Sequence, residues 1–178
     1  MFIWAGIDVD DELGEVKEKA LLIDNSINFA NSCFVLPLHI SLKAAFQIDK
    51  SIFEEIALEI SNYFKTIKPF EIAMDKIEMY DNIIWIRMKR NTYLDKVHDE
   101  LNSILLEKYN IKLHEYDLDY KYHTTLFMDS NKDSIKEAYN LVKEVDLPQN
   151  IKANQFIIGT SETGELGTYK IYKRIKML

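Results

Sequence analysis

An α+β fold of two pseudo-symmetric lobes, each an antiparallel sheet with helices packed outside, around a central cleft, is predicted by three observations. Strand-like and helix-like periods alternate along the chain, the order of elements in the first half recurs in the second, and one short pattern (histidine, any residue, Ser or Thr, then Leu) stands on a strand of each half. Phe2 to Asp8 reads as a strand. Asp10 is placed to cap a helix through about Phe29, with Val16, Ala20, Ile23 and Ile27 at helical spacing. The next strand holds Pro37-Leu38-His39-Ile40-Ser41-Leu42 and runs to about Phe46. Asp49 or Ser51 caps a second helix, Ser51 to Lys65, whose stripe of Ile52, Ile56, Ile60 and Phe64 is closed by Pro69. Phe70 to Met79 and Ile83 to Lys89 form a hairpin around Tyr80-Asp81-Asn82.

The second half reruns this order. Tyr93 to Tyr109 is a helix, Tyr116 to Met128 a strand holding His123-Thr124-Thr125-Leu126, Ser134 to Val145 a helix ended near Pro148, and Gln155 to Thr160 with Thr168 to Lys176 a hairpin around Gly164 and Gly167. The matching offsets point to one bilobal domain over residues 1–178 with an internal duplication.

The composition is that of a globular chain: 178 residues, 47% hydrophobic, with five glycines and three prolines. A net charge of −7 excludes a protein that lives on long duplex nucleic acid, which needs a basic face, but leaves a small ligand or an RNA end open. The amino terminus lacks a basic stretch and no apolar run nears about 18 residues, so no signal peptide, no membrane partner and a cytoplasmic location are expected. Cys33 stands alone, which excludes an internal disulfide; oligomeric state is left open.

In a strand, alternate side chains face opposite ways. His39, Ser41 and Lys43 then lie opposite the apolar Leu38, Ile40 and Leu42, while Asp117, Asp119, Lys121, His123 and Thr125 lie opposite Tyr116, Leu118, Tyr120, Tyr122 and Leu126. A single such tetrad reads as a surface histidine. Two, at matching places in related halves, can face each other across a cleft and bring two imidazoles and two hydroxyls to one phosphate. In-line displacement at phosphorus needs a base for the nucleophile and an acid for the leaving oxygen, and histidine fills both roles near neutrality. Hydroxyls hydrogen-bond the non-bridging oxygens, where charge builds.

With these tetrads the chain resembles the two-histidine phosphoesterases, which include bacterial and archaeal 2′-5′ RNA ligases and cyclic nucleotide phosphodiesterases. The resemblance implies a 2′,3′-cyclic phosphate of a nucleotide or RNA end, or a related cyclic phosphate such as that of ADP-ribose, opened to a 2′-phosphate. It gives His39 the acid role and His123 the base, and needs no metal or other cofactor. Ser41 departs from the commoner Thr but keeps the oxygen. Candidate phosphate contacts are Ser41, Thr125, Lys43 and Lys121; Arg87, Lys89, Lys173 and Arg174 on the hairpins could also neutralise charge, against the ordinary reading of solvated strand residues. Trp4, Trp85 and Phe127 could stack on a base, although strand aromatics are usually packing; Tyr116, Tyr120 and Tyr122 are assigned to the core. His98 and His114 have no spaced partner. A 2′-5′ RNA ligase-like activity, a non-catalytic RNA or nucleotide binder, and a structural domain with incidental tetrads are the alternatives.

Overall fold

A computed structural model describes residues 1–27 and 29–178. The elements are β1 (Phe2–Asp8), α1 (Gly14–Ile27), β2 (His39–Gln47), α2 (Phe53–Phe64), β3 (Phe70–Tyr80), β4 (Ile83–Met88), α3 (Thr92–Tyr109), the single turn α4 (Glu115–Leu118), β5 (His123–Met128), α5 (Lys132–Val142), β6 (Asn150–Ala153), β7 (Gln155–Ser161) and β8 (Lys170–Lys176). Two four-stranded antiparallel sheets result, ordered β2-β1-β7-β8 and β5-β4-β3-β6. The edge strands β2 and β5, which carry the tetrads, lie against each other. Each hairpin that comes after a tetrad strand crosses into the opposite sheet, so β3-β4 extends from β5 and β7-β8 from β1.

Local chemistry explains most boundaries. Asn91 Oδ1 accepts from Leu94 N and starts α3, which ends at Asn110 in the left-handed conformation; Asn131 caps α5 through Asp133 N and Ser134 N. In α2 the stripe of Ile56, Ile60 and Phe64 is fully buried, and Phe64 stacks on Phe156 of β7 with ring centroids 3.9 Å apart. Gly164 and Gly167 supply the positive φ of the last turn. Among the described residues, no helix is long and apolar enough to cross a membrane.

Several expectations change. Helix α1 begins at Gly14 because Asp10 is engaged elsewhere, taking Lys17 Nζ at 2.7 Å and Leu38 N at 2.8 Å and so tying α1 to the approach of β2. At its other end Asn28 lies outside the described residues. Tyr116 and Leu118 are on the exposed turn α4 and not on a strand, since the His114 ring and the Asp117 carboxylate form a reciprocal cap that starts a helical turn there. Tyr116 is 67% exposed, outside the core that holds Tyr120 and Tyr122, and Asp117 is buried. The short strand β6, absent from the expected order, covers the far edge of β3.

Candidate active site

The tetrads are held in closely similar ways. His39 Nδ1 lies 2.9 Å from the carbonyl of Pro37 and His123 Nδ1 lies 2.6 Å from the carbonyl of Lys121, in each case the residue two places earlier. A carbonyl only accepts, so each Nδ1 donates, and in the neutral ring each Nε2 keeps its lone pair. Each imidazole packs on an indole: His39 on Trp4 with centroids 4.2 Å apart, His123 on Trp85 at 4.3 Å. Gly159 makes the first of these contacts possible, because a Cβ there would fall 2.2 Å from the Trp4 ring.

Immediately after each hydroxyl the ladder slips. Ser41 pairs with Gly6 but Lys43 with Ala5, and Thr125 pairs with Trp85 but Phe127 with Ile84. Leu42 and Leu126 are therefore the extra residues of two bulges, and the next side chain in each strand turns inward. This corrects the placement of Lys43 on the site face. It is 1% exposed, 2.5 Å from Asp117 Oδ2, and donates also to the carbonyl of Lys112. The second bulge likewise takes Phe127 out of the site, into contact with Phe29 and Phe34.

His39, Ser41 and Thr125 line one cavity of about 250 Å³, with Trp4, Leu36, Pro37, Leu166 and Tyr169 around them. His123 does not line this cavity; it stands on β5, the strand that lies against β2. Burial lowers the His39 pKa below its usual value, opposed by the Pro37 carbonyl and reinforced by His123; burial also lowers that of His123, opposed by the Lys121 carbonyl and Glu78. Lys121 is exposed, its ammonium 5.6 Å from the centroid of the Tyr80 ring, and its main-chain oxygen is what meets His123.

Residues directly opposite on neighbouring strands share a face. Asp8 lies opposite His39 and Arg87 opposite His123; Arg174 is aligned with Ser41 through Ile157 and Gly6. Both arginines are already engaged. Arg174 Nε is 3.0 Å from Asp8, and Arg87 binds Asp75 through two nitrogens and Glu78 at 3.2 Å. Glu78 also accepts from Trp85 Nε1 at 3.0 Å and pairs with Lys76. Sequence reasoning missed Asp8, Asp75 and Glu78 as partners and the indoles as imidazole supports. Trp4 and Asp8 share the even-numbered face of the first strand, a signal that was available. Among the described residues, no three His, Cys, Asp or Glu side chains form a metal-binding group.

Two matched histidine-hydroxyl pairs stand on the meeting edge strands of two antiparallel sheets. The model of the 2′-5′ RNA ligase superfamily matches residues 30–164, and the chain belongs to that family of two-histidine phosphoesterases. Among solved structures it is similar to Escherichia coli LigT complexed with 3′-AMP (TM-score 0.61, 15% identity, 98% of this chain and 96% of that one). It is also similar to TT0787 of Thermus thermophilus (0.68, 12%, 99% and 97%) and to Kluyveromyces marxianus Usb1 with uridine monophosphate (0.50, 14%, 98% and 98%). A Geobacillus kaustophilus protein, GK0864, a phosphoesterase by assignment, is 28% identical over 72 residues; the match spans 39% of this chain and 42% of that relative's length.

Proposed function

We propose that this protein is a metal-independent cyclic phosphodiesterase that opens a 2′,3′-cyclic phosphate of a nucleotide or RNA end to a 2′-phosphate. The observation that carries the reading is the pair of imidazoles, one on each of the meeting strands β2 and β5, whose Nδ1 atoms are tied to main-chain carbonyls so that each Nε2 is left for proton transfer; His39 shares its cavity with Ser41 and Thr125. His123 takes a proton from water as its oxygen attacks phosphorus. The bond from phosphorus to the 3′ oxygen breaks, and His39 protonates that oxygen. Ser41 and Thr125 donate to the non-bridging oxygens. His39 is given the acid role and His123 the base, as the family resemblance implies. The 3′-AMP and uridine monophosphate held by relatives of this fold support a ligand of nucleotide size. The paired bulges support a duplicated unit within one domain, and a cytoplasmic setting fits such a substrate.

The test is hydrolysis of 2′,3′-cyclic nucleotides in EDTA, with products identified by phosphorus NMR. Wild type is expected to yield the 2′-phosphate, and His39→Ala and His123→Ala to lose nearly all of that activity. An inactive wild type, or variants at full rate, would refute the reading.

A further inference from the structure

The geometry points to a second binding site, for a small primary ammonium ion with an apolar tail, in the cavity where α3 meets α4. This cavity, of about 260 Å³, shares no lining residue with the one that holds His39, Ser41 and Thr125. Three of its lining side chains, His98, Asn102 and Asp117, are each only 4% exposed. Each leaves one polar atom without a hydrogen-bond partner among the described residues: His98 Nε2, Asn102 Oδ1 and Asp117 Oδ1. An unpaired polar atom inside a protein is costly, so three on one cavity require an explanation. The donors of these side chains are already spent. His98 Nδ1 donates to Asp99 Oδ1 at 2.9 Å, and Asn102 Nδ2 donates to the carbonyls of His98 at 2.9 Å and of Leu42 at 3.2 Å. Asp117 Oδ2 takes Lys43 Nζ and the main-chain N–H of His114. What remains is a set of acceptors: the lone pair of the neutral imidazole, an amide oxygen and a carboxylate oxygen. A primary ammonium has three N–H donors and no acceptor, which matches that set.

Charge and polarity agree. Asp99 and Asp117 against Lys43 leave one negative charge at the cavity, which a single ammonium neutralises. Among the described residues no three His, Cys, Asp or Glu side chains are placed to hold a metal ion, so the fitting cation is organic. The other side of the cavity is Leu106, Leu113 and Leu118, all exposed, which suit a short alkyl chain. Asn102 and Asp117 also hold the carbonyl of Leu42 and the ammonium of Lys43, the two residues that follow Ser41 in β2, so the site is built onto the strand of the first tetrad.

The experiment follows amide chemical shifts of the whole protein at pH 8 during titration with n-butylammonium chloride, with tetramethylammonium chloride and n-butanol as controls. n-Butylammonium is expected to bind with a Kd of about 1 mM and to shift the amides of Asn102, Ser103 and Leu106. Tetramethylammonium, which lacks N–H donors, and butanol, which lacks the charge, should each bind about tenfold more weakly. Ser103 is exposed on the cavity rim, so Ser103→Trp blocks the cavity without entering the core and should weaken n-butylammonium about tenfold at an unchanged Tm. His98→Phe removes one acceptor but keeps a ring to stack on Tyr120, and should weaken it likewise; if that variant fails to fold, Ser103→Trp decides. Absence of binding up to about 20 mM, which would mean a cavity for water only, overturns the proposal. Equal binding of the three probes, shifts confined to other parts of the protein, or full affinity in a folded Ser103→Trp or His98→Phe also overturns it. No substrate is involved, so the outcome does not depend on the phosphodiesterase reading.

Discussion

The His39 and His123 halves of the site agree in some respects and diverge in others. Both tie Nδ1 to the carbonyl two residues back, both lay the imidazole on a tryptophan, and both insert a leucine bulge after the hydroxyl. They differ in what lies beyond. The His39 half opens on an apolar cavity, with Asp8 and Arg174 behind it, whereas the His123 half is bordered by the charge cluster of Asp75, Lys76, Glu78 and Arg87. After the bulge one half buries Lys43 against Asp117 and the other buries Phe127 among aromatic rings. The shared features are those that fix a tautomer and aim two Nε2 atoms; the unshared ones set polarity around the substrate.

The largest effect should come from removing what the two halves share. His39→Ala and His123→Ala should each lower kcat/KM by about 10²–10⁴-fold, and the double variant should be little worse than either single one, because acid and base act on one displacement. Additive losses in a double-variant cycle would mean that the two halves work independently.

Next comes the difference after the bulge. Asp117→Ala leaves the buried Lys43 ammonium without its counter-charge and should cost about 3–5 kcal/mol in urea unfolding, while Lys43→Met with Asp117→Leu should recover most of that. Comparable costs for the single and double variants would show that the pair contributes through something other than charge. Gly159→Ala should disturb only the His39 half. The added methyl displaces Trp4, costs about 1–3 kcal/mol, and lowers activity by loosening the imidazole support. Full activity would remove Trp4 from the account.

A smaller effect is the pH dependence of stability. Each histidine has a folded pKa below its usual 6.5, so between the two values the unfolded chain binds more protons than the folded one. Their contribution is unimpaired well above pH 6.5 and declines as pH falls through 6.5 toward the folded pKa. Melting curves of wild type and His39→Asn should therefore converge on acidification; parallel curves from pH 7.5 to 5 would contradict the shift. The smallest effect concerns Cys33, whose thiol is pushed up to about 11, chiefly by burial, and which should react slowly with iodoacetamide at pH 8.

Much of this was legible from period and punctuation. Ile56, Ile60 and Phe64 of the expected stripe, the turn at Asp81 and the strands of the two tetrads each express a local rule and lie where that rule puts them, whereas Ile52 falls ahead of α2 and is exposed. The exchange of hairpins between sheets was not legible, because strand order depends on contacts far apart in the chain. Nor was the inward turn of Lys43. Leu42 satisfies simple alternation, so nothing marks the bulge, whereas adjacent Leu126 and Phe127 break alternation and could have marked theirs. The turn at His114 escaped notice because histidine is an unusual helix cap.

In the proposed reaction two imidazoles with free Nε2 atoms act as acid and base on one phosphodiester. The decisive measurement is the pH profile of kcat/KM for a 2′,3′-cyclic nucleotide. One ring must be protonated and the other neutral, and burial holds both pKa values low, so the account predicts a bell whose maximum lies below pH 6.5 and which falls steadily toward pH 8. A flat profile between pH 5 and 8 would contradict it.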